Sequence, residues 1–349
     1  MPRGRKKPIA LTVIAGARGA GKTTLINRLI GLPAFARTAV ILNDFGEVQL
    51  QRDAVATADE GYIALGSGCV CCVVRGALVD ALERLLRDLD NNRLAGVDRL
   101  IIEADEAADP AAIVAAVERH PYVSLRFAID GIVTVLDAAA AGVLLAERAD
   151  AVRQVAMADV VALTRGAASD VAMALNPFAA FVDAAAAPAA AFTGHGSFDP
   201  ASGDLAAWLR PPAHPSGAVA GEAGHVRAFA VVRPLGMPHA AFDRFLDYLL
   251  ALQGANLTRL RAAASVGERE LVVVEGFGAS LRPPVLVERD DADTFGTRFV
   301  LVARDLDAAT FEGYLAAFLN EARVDTADRQ ALTANPLAIA GFSARSGSR

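Results

Sequence analysis

The chain has 349 residues, of which 54% are hydrophobic and 21% charged, a composition typical of a globular protein long enough for two domains. Its net charge of −6 creates no field that would favour nucleic acid. No stretch of about eighteen apolar residues lacks a charge or a helix breaker, so no membrane span is predicted. We therefore expect a cytoplasmic protein with neither nucleic acid nor a membrane as partner.

The first predicted elements are a strand at 9–15 and a helix at 23–30, joined by a glycine-rich loop. The strand is an apolar, partly β-branched run, and the helix has leucine and isoleucine at helical spacing. Between them, Gly16-Ala17-Arg18-Gly19-Ala20-Gly21-Lys22-Thr23 fits the phosphate-binding pattern G-x-x-x-x-G-K-[S/T]. A ligand-free glycine turn is the alternative, but such a turn does not need a lysine beside its last glycine.

The phosphate-binding interpretation gives each residue of the loop a role. Glycine lets the backbone N–H groups turn inward on a phosphate, because it tolerates positive φ and has no side chain in the way. Lys22 would reach the β- and γ-phosphates as a catalytic residue, and the Thr23 hydroxyl would bind Mg²⁺. The predicted nucleotide contacts are Gly16, Gly19, Ala20, Gly21, Lys22, Thr23 and Thr24.

A second buried strand is predicted at 38–42, and it ends in a short polar segment that contains Asp44 and Glu47. Ligand contacts in doubly wound folds lie at the carboxyl ends of parallel strands. Asp44 is therefore a candidate catalytic carboxylate near the phosphates or the metal. The alternative is a polar turn that uses aspartate and glycine for local geometry.

All three cysteines of the chain, Cys69, Cys71 and Cys72, lie in one glycine-flanked stretch. An odd number packed so closely cannot form a disulfide framework, and thiolates favour soft ions such as Zn²⁺ or Cu(I). We predict that the three bind zinc or another soft divalent ion, with a fourth ligand from Asp44, Glu47, water or a recipient protein. Burial as small hydrophobic residues is the alternative.

After an amphipathic helix at 75–90, a third apolar strand at 99–103 ends in a carboxylate, Glu103. P-loop enzymes hold Mg²⁺ from an acidic residue at such a position. Glu103 is thus predicted as a catalytic residue and magnesium ligand, with Asp105 as the spare. Asp109 followed by Pro110 is typical of a helix cap and predicts a helix that runs to Arg119.

Two further strands are predicted at 131–136 and 159–163, the second followed by Thr164 and Arg165. Strands and helices that alternate in this way predict a doubly wound, mostly parallel sheet whose ligand loops emerge at one edge. The fold class is therefore α/β, a P-loop NTPase fold with a second, smaller α/β domain at the C-terminal side.

The predicted boundaries follow these patterns. A basic tail at 1–7 precedes the nucleotide-binding domain at 8–190, and a linker rich in alanine, proline and glycine follows at 191–224. The second domain is expected at 225–325, with arginine on its surface, before a partly disordered tail at 326–349.

Taken together, these residues resemble the CobW-type GTPase family, which is related to the HypB and UreG metal-centre assembly GTPases and includes zinc metallochaperones. The pairing of the loop at 16–23 with Gly68-Cys69-Val70-Cys71-Cys72 carries the resemblance most specifically. It implies GTP or GDP with Mg²⁺, zinc on the cysteines, slow hydrolysis, and delivery of the metal to a client metalloprotein recognised by the second domain. It leaves open whether the metal lies within one chain or between two copies in a homodimer.

The chain also departs from the family pattern. The family has Glu-Thr-Thr-Gly where this chain has Glu103-Ala104-Asp105-Glu106, and it has Asn-Lys-x-Asp where this chain has Thr164-Arg165-Gly166-Ala167. Glu106 would bring negative charge toward phosphate oxygens. Arg165 could stack on a purine, while Ala167 cannot accept hydrogen bonds from guanine. The alternative function is therefore a degenerate, non-hydrolysing nucleotide- and metal-binding protein that acts as a scaffold.

Overall fold

The protein is described by a computed structural model. The described residues are 7–43, 62–65, 74–94, 96–196, 198, 205–209, 219–221, 224–290 and 292–319. Within them the chain forms two β-sheets with helices packed on their faces. None of the helices in these ranges is long and apolar enough to cross a lipid bilayer.

The first sheet is a parallel, doubly wound sheet of seven strands. Its strand order is β3-β2-β4-β1-β5-β6-β7, and every neighbouring pair is parallel, so the predicted fold class is confirmed. Short 3₁₀ helices lie at Pro33–Phe35 and Ala189–Phe192. The elements are β1 Ile9–Ala15, α1 Lys22–Ile30, β2 Thr38–Asn43, β3 Tyr62–Leu65, α2 Val74–Asp90, β4 Arg99–Glu103, α3 Pro110–Arg119, α4 Val123–Arg126, β5 Phe127–Asp137, α5 Ala141–Glu147, α6 Ala149–Met157, β6 Val160–Thr164, α7 Asp170–Leu175 and β7 Ala180–Asp183.

Helices cover both faces of this sheet because its strands are apolar on both sides. On one face α1 buries Leu25, Ile26 and Leu29. On the other face α2 and α3 pack against side chains of β1 such as Leu11 and Val13. Since all seven strands are parallel, their carboxyl ends meet at one edge, and β1 lies between β4 and β5 there.

Strand β5 begins four residues earlier than the predicted start at Gly131. Its pairing with β1 shifts by one residue around Asp130, where Leu11 pairs with Ile129 and Thr12 with Gly131. The strand therefore passes through a β-bulge, and Gly131 with φ of 150° belongs to it. A glycine that sequence patterns suggest as a boundary is here an irregularity inside the strand.

The predicted cap of α3 is confirmed. The Asp109 side chain accepts a hydrogen bond from the Ala111 N–H at 2.9 Å, and Pro110 occupies the first helical position.

The second sheet is antiparallel, with strand order β12-β11-β10-β14-β9-β8 and β13 paired to β11. Helices α9 and α11 cover one face, and an aromatic cluster around Phe245 and Phe299 forms that core. The other face packs toward the first sheet's helices. The elements are α8 Leu205–Leu209, β8 Val219–Gly221, β9 Gly224–Arg233, α9 His239–Gln253, β10 Leu257–Ser265, β11 Glu270–Phe277, β12 Ser280–Leu281, β13 Val285–Glu288, α10 Ala292–Phe295, β14 Thr297–Arg304 and α11 Ala308–Phe318.

The stretch predicted as a linker, 191–224, contains packed residues in its described part. Phe192 lies in the core beneath α1, while Phe198, Leu205 and Leu209 lie in the core between the two sheets. Large apolar side chains at these positions anchor the connection to both domains, although its composition is dominated by small residues.

The expectation of surface arginine in the second domain is wrong for two residues of β10. Arg259 and Arg261 are only 6% and 7% exposed. Both form ion pairs with Asp159, which follows α6 in the first domain, and with Glu275 of β11. We call these four residues, together with the ion-paired Arg282 and Glu118, the arginine cluster. It spans the interface between the two domains.

Candidate functional site

The glycine-rich loop connects β1 to α1, as predicted. Gly16, Gly19 and Gly21 have φ angles of 140°, 76° and 109°, which side chains rarely adopt. A Cβ atom on Gly16 would lie 2.4 Å from the Val135 carbonyl oxygen of β5. Gly21 is the N-cap of α1 and provides no side-chain hydrogen bond to the first helical N–H groups. The loop therefore fits an anion at a helix N-terminus.

The Lys22 side chain folds back over this loop. Its Nζ atom donates hydrogen bonds to the carbonyl oxygens of Gly16 at 2.7 Å and Ala17 at 3.3 Å. Burial lowers the pKa of Lys22, and nearby carboxylates, of which Glu103 is the strongest, partly offset that shift. Burial thus disfavours the charge of the ammonium group in the loop, while the nearby carboxylates favour it.

Thr23 and Glu103 meet at the carboxyl edge of the sheet, as expected for a magnesium site. Thr23 Oγ1 donates to Glu103 Oε1 at 3.4 Å, and Glu103 is 6% exposed. A hydroxyl and a carboxylate side by side provide the hard oxygen atoms that Mg²⁺ prefers. The donor set present here therefore fits that ion. Thr24, the neighbouring predicted contact, is exposed at the same helix end.

Arg165 also lies at the phosphate loop. Its Nη2 atom donates to the Gly19 carbonyl oxygen at 3.1 Å and to Asp137 Oδ2 at 2.6 Å. The hydrogen bond from Arg165 lowers the pKa of Asp137. The φ of Arg165 is 56°, a conformation that is uncommon outside glycine and typical of functional sites. The preceding residue, Thr164, donates to the Ala20 carbonyl oxygen at 2.9 Å, so this segment is fixed against the loop.

Gln154 is a residue at this site that no sequence pattern indicated. It lies on α6 and is 1% exposed. Its Nε2 atom donates to backbone carbonyls of the segment 104–108, which directly follows β4 and which we call the post-β4 loop. A buried amide that faces several carbonyls is visible only once helix and loop are placed together.

Five predicted residues, Asp44, Glu47, Cys69, Cys71 and Cys72, lie outside the described residues. The strands that precede them are β2, which ends at Asn43, and β3, which ends at Leu65. These two end residues are paired with each other, and β2 lies beside β4. Among the described residues, no group of three or more histidine, cysteine, aspartate or glutamate side chains is arranged to hold a metal ion.

A second concave region lies between the two domains. Its volume is about 460 Å³, and Phe127, Val273 and Trp208 contribute apolar walls. The ion-paired residues Glu118 and Arg282 also line it. Its lining contains none of the residues of the phosphate loop, so the predicted phosphate and magnesium contacts converge elsewhere, at the carboxyl edge of the first sheet.

Comparisons with known proteins point to one nucleotide-binding family. Residues 10–179 match the family model described as "CobW/HypB/UreG, nucleotide-binding domain". The chain is 35% identical over 158 residues to the zinc chaperone YjiA of Escherichia coli (strain K12), covering 45% of this chain and 49% of that protein. It is 35% identical over 144 residues to the zinc chaperone CobW of Sinorhizobium sp, covering 40% and 39%. The third relative, zinc-regulated GTPase metalloprotein activator 1 of Saccharomyces cerevisiae, is 32% identical over 137 residues, covering 38% and 31%.

The chain therefore spans about half or less of the length of these relatives. Among solved structures, it is similar to the Zn(II)-bound YjiA GTPase from E. coli with a TM-score of 0.63 and 22% identity, covering 89% of this chain and 99% of that one. At this identity the likeness concerns the fold, and it extends over both sheets.

Proposed function

Because residues 10–179 belong to the CobW/HypB/UreG nucleotide-binding domain family, we propose that this chain binds GTP with Mg²⁺ and hydrolyses it slowly. We further propose that nucleotide state is coupled to a thiolate-bound metal such as zinc, which is delivered to a client protein. One observation carries the nucleotide part: Lys22 lies inside a positive-φ glycine loop while Thr23 and Glu103 meet beside it.

Different residues are proposed to bind the phosphates, to bind Mg²⁺ and to orient water. Backbone N–H groups of the loop and Lys22 would hold the phosphates, and Thr23 and Glu103 would hold Mg²⁺. When bound, Mg²⁺ neutralises charge on the phosphate oxygens. Lys22 and the fixed N–H groups stabilise the charge that develops on the transferred phosphoryl group, because they are already oriented before the reaction. Asp44 is proposed as the carboxylate that orients water.

The base is proposed to lie against Arg165. The ion pair with Asp137 and the hydrogen bond to Gly19 hold the guanidinium beside the phosphate loop, where its planar face could stack on a purine. Ala167 is exposed and has no acceptor for the guanine edge. We therefore propose a weaker preference for guanine over adenine than an aspartate at that position would give.

The metal part rests on the cysteine stretch and on where the neighbouring strands end. Asn43 and Leu65 end β2 and β3 at the same edge of the sheet as Glu103. Cys69, Cys71 and Cys72 follow shortly after β3 in the sequence and are proposed as zinc ligands. The second domain is proposed to recognise the client, and the zinc could be shared between two copies of the chain.

Phosphate release tests the catalytic part directly. The protein is incubated with GTP and Mg²⁺, and inorganic phosphate is measured beside Lys22→Ala as the matched inactive control. We expect slow release from the natural chain and none above background from the variant. Equal release from both would contradict the proposed site.

A second candidate function is a nucleotide-binding protein without turnover. The charges of Asp105 and Glu106 lie close enough to Lys22 to affect its pKa, and a γ-phosphate would enter the same region. Like charges in contact are unfavourable by several kcal/mol at a surface-like dielectric. Tight nucleotide binding without phosphate release above the Lys22→Ala control would favour this function.

The variant Cys71→Ser tests whether zinc and nucleotide bind at separate sites. We expect it to lower zinc affinity while nucleotide binding persists, because the phosphate loop does not involve the cysteines. An unchanged zinc stoichiometry would exclude Cys71 as a ligand.

A further inference from the structure

Gln154 ties the post-β4 loop to helix α6. Its Nε2 atom lies 3.5 Å from the Asp105 carbonyl oxygen, 3.0 Å from that of Glu106 and 2.9 Å from that of Ala108. With two N–H groups, one amide is shared among three acceptors. Gln154 is 1% exposed, and its loss would take this donor from the Glu106 and Ala108 carbonyls, whereas the Asp105 carbonyl would still accept a hydrogen bond from the Ala108 N–H at 3.1 Å.

Gln154 is itself held against the first sheet. The Gln154 backbone carbonyl accepts a hydrogen bond from Thr134 Oγ1 at 2.7 Å, and Thr134 lies on β5 next to β1. The post-β4 loop is also tied to β1, because the Ala104 N–H donates to the Ile14 carbonyl at 2.8 Å. Gln154 thus connects the loop to the same strands that carry the phosphate loop.

Peptide geometry determines what this connection orients. In a trans peptide the C=O and N–H groups point in opposite directions. Because Gln154 holds the carbonyls of Asp105 and Glu106 toward α6, the N–H groups of Glu106 and Ala107 point away from it. The post-β4 loop begins directly after Glu103, whose carboxylate accepts a hydrogen bond from Thr23 at 3.4 Å, so it borders the phosphate loop.

We propose that Gln154 is a positioning residue that holds the post-β4 loop so that the N–H groups of Glu106 and Ala107 face a terminal phosphate. This inference rests on the proposed nucleotide-binding function and deepens it, since a diphosphate lacks the group that these N–H donors would contact. Gln154 then affects discrimination between triphosphate and diphosphate, while Lys22 affects affinity for both.

Asn176 supplies a matched control. It is also 1% exposed, and its Nδ2 atom donates to the carbonyls of Val155, Ala156 and Ala158 at 2.7, 3.2 and 2.9 Å. Asn176→Leu therefore removes a comparable buried amide at the carboxyl end of the same helix, without touching the post-β4 loop. Gln154→Met removes the donor and keeps the length of the side chain.

The experiment measures two quantities on the full chain. Amide hydrogen exchange of residues 104–109 is followed without ligand, and affinities for GDP and a non-hydrolysable GTP analogue are measured with Mg²⁺. We expect Gln154→Met to speed exchange in this segment and to weaken analogue binding about tenfold, with GDP affinity within about twofold. Asn176→Leu should lower thermal stability but leave both the exchange and the affinity ratio unchanged.

Three results would overturn the inference: unchanged exchange in Gln154→Met, an unchanged affinity ratio, or the same ratio shift in Asn176→Leu. If the natural chain binds no nucleotide, the proposed function fails with the phosphate-facing role, while the exchange data still decide whether Gln154 holds the loop. If Gln154→Met does not fold, Gln154→Asn keeps the amide but shortens its reach by one methylene, and smaller changes in the same direction are expected.

Discussion

The phosphate loop and the arginine cluster both contain charged side chains that are shielded from water, but the partners of those charges differ. In the arginine cluster, Arg259 and Arg261 each contact two carboxylates, and three arginines face three acidic residues. At the phosphate loop, Lys22 donates to two backbone carbonyls instead, and an anion could replace those neutral acceptors.

This difference separates a structural role from a ligand-binding role. Buried charges that pair with each other across an interface hold two domains together, and the removal of one partner is strongly destabilising. A desolvated lysine with neutral acceptors in a glycine loop gains most when an anion arrives. We therefore expect substitutions in the arginine cluster to change stability and substitutions at the phosphate loop to change binding.

The largest effect is expected for Asp159→Ala. Burial alone would raise the pKa of Asp159, but Arg259 and Arg261 keep it below its usual value, so the carboxylate is ionised and paired. Its removal leaves two buried guanidinium groups with one carboxylate fewer, at a cost of about 3–5 kcal/mol in the free energy of unfolding. Chemical denaturation measures this.

The control for that prediction is Asp98→Ala. Asp98 pairs with Arg37 on the surface, where both side chains are about 60% exposed. An exposed pair contributes at most about 1 kcal/mol. Equal losses of stability in the two variants would show that burial does not distinguish the arginine cluster.

The next effect is the loss of nucleotide affinity in Lys22→Ala. We expect binding of GDP to weaken about a hundredfold, equivalent to about 2.7 kcal/mol, because the loop loses the ammonium group that folds back over it. The free energy of unfolding should change little, since burial of the ammonium is itself unfavourable. Calorimetric titration and denaturation of the same sample check both statements. A strong loss of stability with intact binding would show that Lys22 has a structural role and not a ligand-binding one.

A smaller effect is expected when an acceptor for the base is introduced. Ala167→Asp places a carboxylate two residues after Arg165, and two hydrogen bonds from guanine should raise the ratio of GDP to ADP affinity about tenfold. Ala167→Asn is the matched control, because it has similar size and no charge. A ratio that stays the same in Ala167→Asp would place the base away from this segment.

The smallest effect concerns pH and the edge of the arginine cluster. Burial raises the pKa of Glu118, and Arg282 only partly offsets this shift. The folded protein therefore keeps that proton to higher pH than the unfolded chain, so this group lowers stability as pH rises from about 4.5 through the folded pKa. Glu118→Gln should flatten that decline in denaturation curves recorded across this range. Glu312→Gln, at an exposed position of α11, should leave the slope unchanged.

Much of the fold could be predicted because its signals are local. The bounds predicted for β1 and β4 agree with the structure to the residue, since each is an apolar run between turn residues. The phosphate loop, Thr23 and Glu103 follow from a contiguous motif and a strand end.

The remaining features depend on partners that are distant in sequence. Arg259 and Arg261 look like surface residues until β10 is placed against Asp159, which lies about a hundred positions earlier. Gln154 lies 46 to 49 positions after the carbonyls that it contacts, and nothing in its own helix marks it. Only the packing of α6 against the post-β4 loop reveals its contacts.

The most direct test of the central claim is a calorimetric titration of the metal-stripped protein in Mg²⁺ with GDP and with ADP, repeated after one equivalent of zinc. The proposed function predicts saturable binding of GDP at one site per chain, with an affinity that shifts when zinc is present. No binding of either nucleotide, with zinc or without it, would contradict the proposal and leave the phosphate loop without a ligand.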